Sequence, residues 1–308
     1  MLKVAVLYTG QTRTINKTLP YFKNNVLLNE NVHVFACIHN DTDEDIKQII
    51  EAHIGHHLKS VTDGAPSSCF NFIQDRLLAT MKHRIDFFCH DYLKTGGSMI
   101  EYFQLYLAYL EMVAYEREHQ ITYDYIIRMR TDLVISQRID FHWLNLSDQE
   151  LDQRYEQISQ LKHTTDTKTI QMLMMNTLIN WNRIHHIETN QPYSHNCYDI
   201  PHLNSDYIKN GRYIITLRRN VFYLIKRQYF NMIPSVAFLY GTIFTDVMHW
   251  FNAENQFENV LVELGINIFD SSTPAENNSL NYYYHENYLD ENGHLKNEDS
   301  YNFFIMRY

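Results

Sequence analysis

The chain has no run near the ~18 consecutive apolar residues that a membrane-spanning helix needs, although 45% of its 308 residues are hydrophobic. Cysteine is sparse: Cys37, Cys69, Cys89 and Cys197 are widely spaced and form no Cys-x-x-Cys pair. That spacing argues against a disulfide scaffold and suits structural thiols in a reducing compartment. Positive charge is short as well. The 26 basic residues face 36 acidic ones, for a formal charge of -10, which argues against generic attraction to nucleic acid. The first residues, Met-Leu-Lys-Val-Ala-Val-Leu-Tyr, lack the length and cleavage pattern of a secretory signal and read as a strand. A cytoplasmic protein without stable membrane insertion is expected. No heptad, solenoid period or internal repeat is present.

Tyrosine is abundant, at 23 residues, but this fits a biased base composition as readily as carbohydrate stacking. The order of elements is more informative. Val4 to Leu7 reads as a strand ended by Thr9-Gly10-Gln11-Thr12-Arg13, with Gly10 permitting a tight turn and Arg13 placed to receive a phosphate. A second strand spans Val32 to Ile38, and Asp41 and Asp43 then stand where a helix through about Ala52 begins. Ser67 to Leu93 is mainly helical. Ser98 and Glu101 form a capping-box pattern before a helix whose apolar face carries Met99, Phe103, Tyr106, Leu107, Leu110 and Val113. Strand, helix and strand in this order favour parallel pairing through a right-handed crossover.

The next strand carries the chemistry. In Tyr123-Asp-Tyr-Ile-Ile-Arg-Met-Arg-Thr-Asp132 an apolar element ends with Arg128, Arg130 and Asp132 on one face, opposite Ile127, Met129, Thr131 and Leu133. Such charges must pair with one another, meet a charged ligand or line a wet crevice. In an extended strand Arg128 and Asp132 are about 13 Å apart, so a bend or their side chains must close the gap. Arg130 has two readings, a salt bridge to Asp124 or Asp132, and a bidentate contact to phosphate.

Further along, Ser147 to Lys168 is polar and peripheral, and Ile170 to Ile179 is apolar with an ambiguous period. His185, His186, His195 and His202 lie with Asp199 and Asp206 in a Pro-, Asn- and Tyr-rich loop that matches no compact zinc motif and reads as an acceptor-side loop. Arg212 to Leu217 reads as a strand. Thr245 to Leu264 reads as a helix stopped by Gly265, with Glu254 and Glu258 on one side of it. The aromatic tail around Tyr282–His285 and Tyr301–Met306 is placed to cross back over the main domain or cover a pocket.

Two of these segments carry a family resemblance: Thr9-Gly10-Gln11-Thr12-Arg13, and Tyr123-Asp124-Tyr125-Ile126-Ile127-Arg128-Met129-Arg130-Thr131-Asp132. The chain resembles nucleotide-sugar-dependent glycosyltransferases of the GT-A type, in the microbial and viral group with an Arg-x-Arg-x-Asp strand end; Asn252-Ala-Glu254 and the helix to Gly265 are weakly similar to that group's late acidic helix. The resemblance implies an α/β, GT-A-like, Rossmann-related and mostly parallel sheet flanked by helices. It further implies one catalytic domain over 1–308, nucleotide-binding in about 1–140 and acceptor-binding in about 141–308. A sugar would pass from a nucleotide-sugar donor to a glycan, lipid or protein acceptor. Thr9, Gly10, Gln11, Arg13, Arg128 and Arg130 would form the donor site, with Arg128 orienting Asp132. Asp132 would hold Mn²⁺ or Mg²⁺ beside the diphosphate. Arg130-Thr131-Asp132 replaces the usual Asp-x-Asp, so one expected carboxylate is missing. Glu254 would contact the acceptor or act as base, ahead of Asp246 and His249. A nucleotidyltransferase and a non-catalytic α/β interaction protein are the competing readings, and sugar-nucleotide turnover separates all three.

Overall fold

A near-continuous apolar run at the N-terminus forms β1 (Val4–Gln11), buried on both faces as expected of a central parallel strand. On one face Val4, Val6 and Tyr8 join Ile15, Leu19 and Phe22 of α1 (Ile15–Asn25) and Ile46, Ile50 and Ile54 of α2 (Ile46–Ile54). On the other, Ala5 and Leu7 join Phe103, Ala108 and Met112 of α4 (Ile100–His119). The computed structural model describes residues 2–27, 31–42, 45–81, 99–135, 139, 141–160, 205–218, 220–231, 233, 261, 264–270, 283–284 and 303–306.

The remaining strands of the main sheet are β2 (Val32–His39), β3 (Leu58–Asp63), β4 (Tyr125–Arg130), β6 (Tyr213–Arg218), β7 (Phe222–Lys226) and β8 (Asn267–Asp270). The seven strands run in the order β3-β2-β1-β4-β7-β6-β8. The β1, β2, β3 and β4 strands are parallel, β7 is antiparallel to β4 and β6, and β8 is parallel to β6. This is a mixed α/β fold with a largely parallel core sheet flanked by helices, a generic Rossmann-like arrangement. From β1 the chain winds outward through β2 and β3, then crosses to the other side of β1 to lay down β4. The strand order therefore reverses between β1 and β4, the kind of switch point beyond whose carboxyl ends α/β sheets form a ligand crevice.

A small sheet, order β5-β10-β9, is built from β5 (Leu133–Ile135), β9 (Tyr283–Tyr284) and β10 (Phe303–Met306). The tail thus returns antiparallel to β5, directly after Asp132, and the Met306 amide donates to the Asp132 carbonyl at 2.8 Å. The polar stretch after Ser147 holds a helix, α5 (Asp148–Gln160), opened by a Ser147–Glu150 capping box. No helix among the described residues is long and apolar enough to cross a membrane.

Several local expectations shift. The β1 strand runs through Gln11 instead of ending at Leu7, because Thr9, Gly10 and Gln11 still pair with Cys37, Ile38 and His39. The α2 helix is capped by Asp45, whose carboxylate accepts from the Gln48 amide, which leaves Asp41 for another role. The buried face of α4 is broader than its apolar pattern: Met99 and Phe103 are buried as expected and Leu107 and Val113 pack on the same core, but Tyr102, Leu105, Ala108, Met112 and Glu116 are buried too, whereas Leu110 is 43% exposed. Small Ala108 faces the sheet, and the inward polar residues Gln104 and Glu116 are satisfied there. Gln104 donates to the Gly64 carbonyl, and Glu116 accepts from the Tyr123 amide and the Arg227 guanidinium. Apolar periodicity alone does not anticipate this face. The α3 helix (Ser68–Met81) covers the first part of the expected Ser67–Leu93 helix. Ser98, Ile170–Ile179, His185 to His202, Asp246, His249, Glu254 and Glu258 lie outside the described residues. At the end of the Thr245–Leu264 segment, Gly265 takes a φ of 62° and the Ile266 amide donates to the Leu261 carbonyl, the helix stop its glycine implied.

Candidate functional site

At the carboxyl ends of β1 and β4 the two singled-out segments lie side by side, with Thr9 opposite Arg130 in register. Thr131 fastens them together. Its amide donates to the Thr9 carbonyl at 3.0 Å and its hydroxyl to the Gln11 carbonyl at 2.7 Å, while its own carbonyl accepts from Thr18 of α1 at 2.6 Å. Gly10 is explained by this junction: a Cβ there would stand 2.2 Å from Thr131 Oγ1, and its φ is +147°. Only glycine permits that approach at that dihedral. The requirement at residue 10 therefore comes from strand packing beside the crevice.

The chain turns at Thr131 and Asp132, and the turn closes the distance that an extended strand would leave. Arg130 grips Asp132 in a fork, Nε to Oδ1 at 2.9 Å and Nη2 to Oδ2 at 2.5 Å, and reaches Glu101 Oε1 through Nη1 at 3.3 Å. Arg128 does not orient Asp132 by direct contact. It lies deeper, 2% exposed, donating to the Val221 carbonyl at 2.8 Å and to Glu101 Oε2 at 3.3 Å. The strand face is shared as expected, but α4 supplies a nearer carboxylate. Burial lowers the Arg128 pKa, and Glu101 opposes that shift. Glu101 also accepts from Asn220 Nδ2 at 3.0 Å.

Arg13 stands at the next turn of the rim. Its Nε lies 3.1 Å from Asp41 Oδ2, and Thr12 also bonds that carboxylate, so the loops after β1 and β2 are tied together. Burial raises the Asp41 pKa, but the hydrogen bonds from Thr12 and Arg13 outweigh it and leave the carboxyl below its ordinary range. Arg13, Arg128 and Arg130 are thus balanced by Asp41, Glu101 and Asp132. Glu101, Asp41 and Asn220 are the members that reasoning from the chain did not assign to the site. A glutamate at the start of a crossover helix preceding an Arg-x-Arg strand was the available signal for Glu101; Asn220 reaches it only through the folding of β7 beside β4.

Two polar atoms here have no hydrogen-bond partner although their residues are buried: Thr9 Oγ1 and Asn220 Oδ1. The α1 helix begins at the same end with no acidic residue in its first turn, so the positive end of its dipole is not offset from within. A cleft of about 500 Å³ lies elsewhere, lined by Lys23, Asn24, Asn25, His53 and His56 among others. The C-termini of α1 and α2 adjoin it, and their partial negative charge disfavours a phosphate group there.

The divalent ion implied for Asp132 does not fit the described residues. Mn²⁺ and Mg²⁺ need several oxygen ligands at short range, yet both Asp132 oxygens accept from Arg130 and Glu101 accepts from two arginines and an amide. No group of three or more His, Cys, Asp or Glu suited to a metal occurs among the described residues. No protein-family model matches the chain, and no curated protein sequence matches it.

Proposed function

We propose that the protein is a glycosyltransferase of the GT-A type that binds a nucleotide-sugar donor in the crevice between β1 and β4. One observation carries this reading: the Thr9–Arg13 and Arg128–Asp132 segments meet at the topological switch point of a largely parallel sheet, joined by the Thr131–Gln11 hydrogen bond. Arg130 and Arg13 are the diphosphate contacts, and Asp132 and Glu101 hold the Arg130 fork in place. In the reaction the bond between the anomeric carbon and the diphosphate oxygen breaks, and the acceptor hydroxyl oxygen bonds to that carbon. The hydroxyl proton passes to a base, for which Glu254 is the assigned residue, and guanidinium groups offset the charge growing on the departing diphosphate. The acceptor is a glycan, lipid or protein hydroxyl, and the setting is the cytoplasm.

Calorimetry with a panel of UDP-, GDP-, CMP- and ADP-linked sugars tests the donor assignment. One donor class is expected to bind clearly better than the others and to be turned over. Absence of binding across the panel contradicts the reading, and binding without transfer or hydrolysis favours a non-catalytic interaction protein.

A further inference from the structure

We propose that Arg130 is the resident cation of the crevice and that the donor diphosphate is held by guanidinium groups without a divalent metal; this rests on the nucleotide-sugar reading of the same site. The geometry carries it. Arg130 stands between the Asp132 carboxylate, at 2.5 and 2.9 Å, and Glu101, at 3.3 Å. A divalent ion bridging those carboxylates would occupy the same space, since its oxygen ligands lie about 2.0–2.6 Å away. It would have to break both ion pairs and would then face Arg128, which is held 2% exposed on the other oxygen of Glu101. A guanidinium already supplies there the positive charge that a metal would bring.

The surroundings offer hydrogen-bond donors to a phosphate that arrives without a metal. Arg130 retains 16% side-chain exposure, whereas Arg128 behind it has 2%. Arg130 is therefore the member of the pair within reach of a ligand, and Arg128 fixes Glu101. Thr9, opposite Arg130 on β1, has a buried hydroxyl with no hydrogen-bond partner, and it can donate to a phosphate oxygen. Asn220 Oδ1, also buried and unpartnered, can accept from a donor hydroxyl. Asp132 is then a positioning residue that takes the Nε–Nη2 edge of Arg130 and fixes the plane of the guanidinium.

The test compares nucleoside diphosphate binding to the full chain in EDTA and in Mn²⁺, using UDP, GDP, CDP and ADP in turn by calorimetry. The paramagnetic resonance signal of free Mn²⁺ is followed separately with protein and no nucleotide. Equal affinity in the two buffers, to within about twofold, and an undiminished Mn²⁺ signal support the proposal. Binding that needs Mn²⁺, or tightens with it by more than about tenfold, overturns the proposal and leaves the nucleotide reading standing. Binding in neither buffer overturns the nucleotide reading and the proposal with it. A second arm uses Arg130→Ala: loss of nucleotide affinity by about tenfold or more, with new Mn²⁺ uptake by the released Asp132 and Glu101, supports the resident-cation role. Unchanged nucleotide affinity in a folded variant overturns it. If the variant does not fold, the wild-type comparison in EDTA decides alone.

Discussion

Thr131 determines what residue 10 can be. Gly10→Ala puts a methyl group 2.2 Å from Thr131 Oγ1 at a φ that side chains rarely adopt, and a loss of about 2–4 kcal/mol is expected. Urea denaturation of Gly10→Ala and of the Gly10→Ala/Thr131→Ala pair checks this: part of the loss should be recovered in the double variant, and independent losses would show that the close contact is not the cause. Glu101 presents the complementary case. Glu101→Ala leaves Arg128 buried with one carbonyl partner, and about 2–4 kcal/mol of stability should go, whereas Glu101→Gln should lose less. For Asp132→Asn the expectation is a folded protein with turnover lowered by about tenfold or more, because the neutral amide no longer holds the Arg130 fork in the required geometry. Turnover equal to wild type would remove Asp132 from the site.

At the scale of elements, α4 is docked by two inward glutamates. Glu101 serves the crevice end, and Glu116 serves the far end, where Arg227 of the short helix Arg227–Phe230 forks onto it at 2.8 to 3.2 Å and the Tyr123 amide donates to it. Glu116→Gln should therefore destabilise by about 2 kcal/mol in a urea titration while leaving nucleotide affinity unchanged, the opposite pattern to Arg130→Ala. The strands of this core were legible from their apolar runs, and Arg128 and Arg130 were placed on one strand face by period alone. The polar part of the buried face of α4 was not legible. Its polar inward residues are stabilised by Arg128 and Arg130 of β4, Asn220, Arg227 and the loop at Gly64, outside the helix, so no local period reports them. Cys37 illustrates the same dependence on context: burial pushes its thiol up to about 12, whereas Cys69 is exposed. Of these two, only Cys69 is expected to react with iodoacetamide in the folded protein at pH 8, as read by peptide mass mapping.

For the whole molecule, pH dependence arises at the amino end of the strands, away from the crevice. There His33 of β2 bonds Tyr123, and burial first, then Lys59, His57, His119 and His56, lower its pKa to about 4 from an ordinary 6.5. Between those values the unfolded chain binds more protons than the folded one, so stability is complete above about pH 6.5 and falls as the pH drops toward 4. With the discount due to a partly exposed group, the loss is about 1 kcal/mol. A pH series of urea titrations on wild type and His33→Gln, which should show less of this dependence, checks the assignment. The α/β architecture could be read from the alternation of strands and helices, and the crevice from the two segments that close it. The charge balance inside the crevice could not, because Glu101, Asp41 and Asn220 arrive from three other parts of the chain.

The most direct test of the central claim is a crystal structure of the protein soaked with its preferred nucleotide sugar. The diphosphate is expected beyond the carboxyl ends of β1 and β4, within hydrogen-bonding distance of the Arg130 guanidinium, with the sugar facing the acceptor side. A donor bound instead in the cleft beside Lys23 and His53, or no donor in the crevice, would contradict the account.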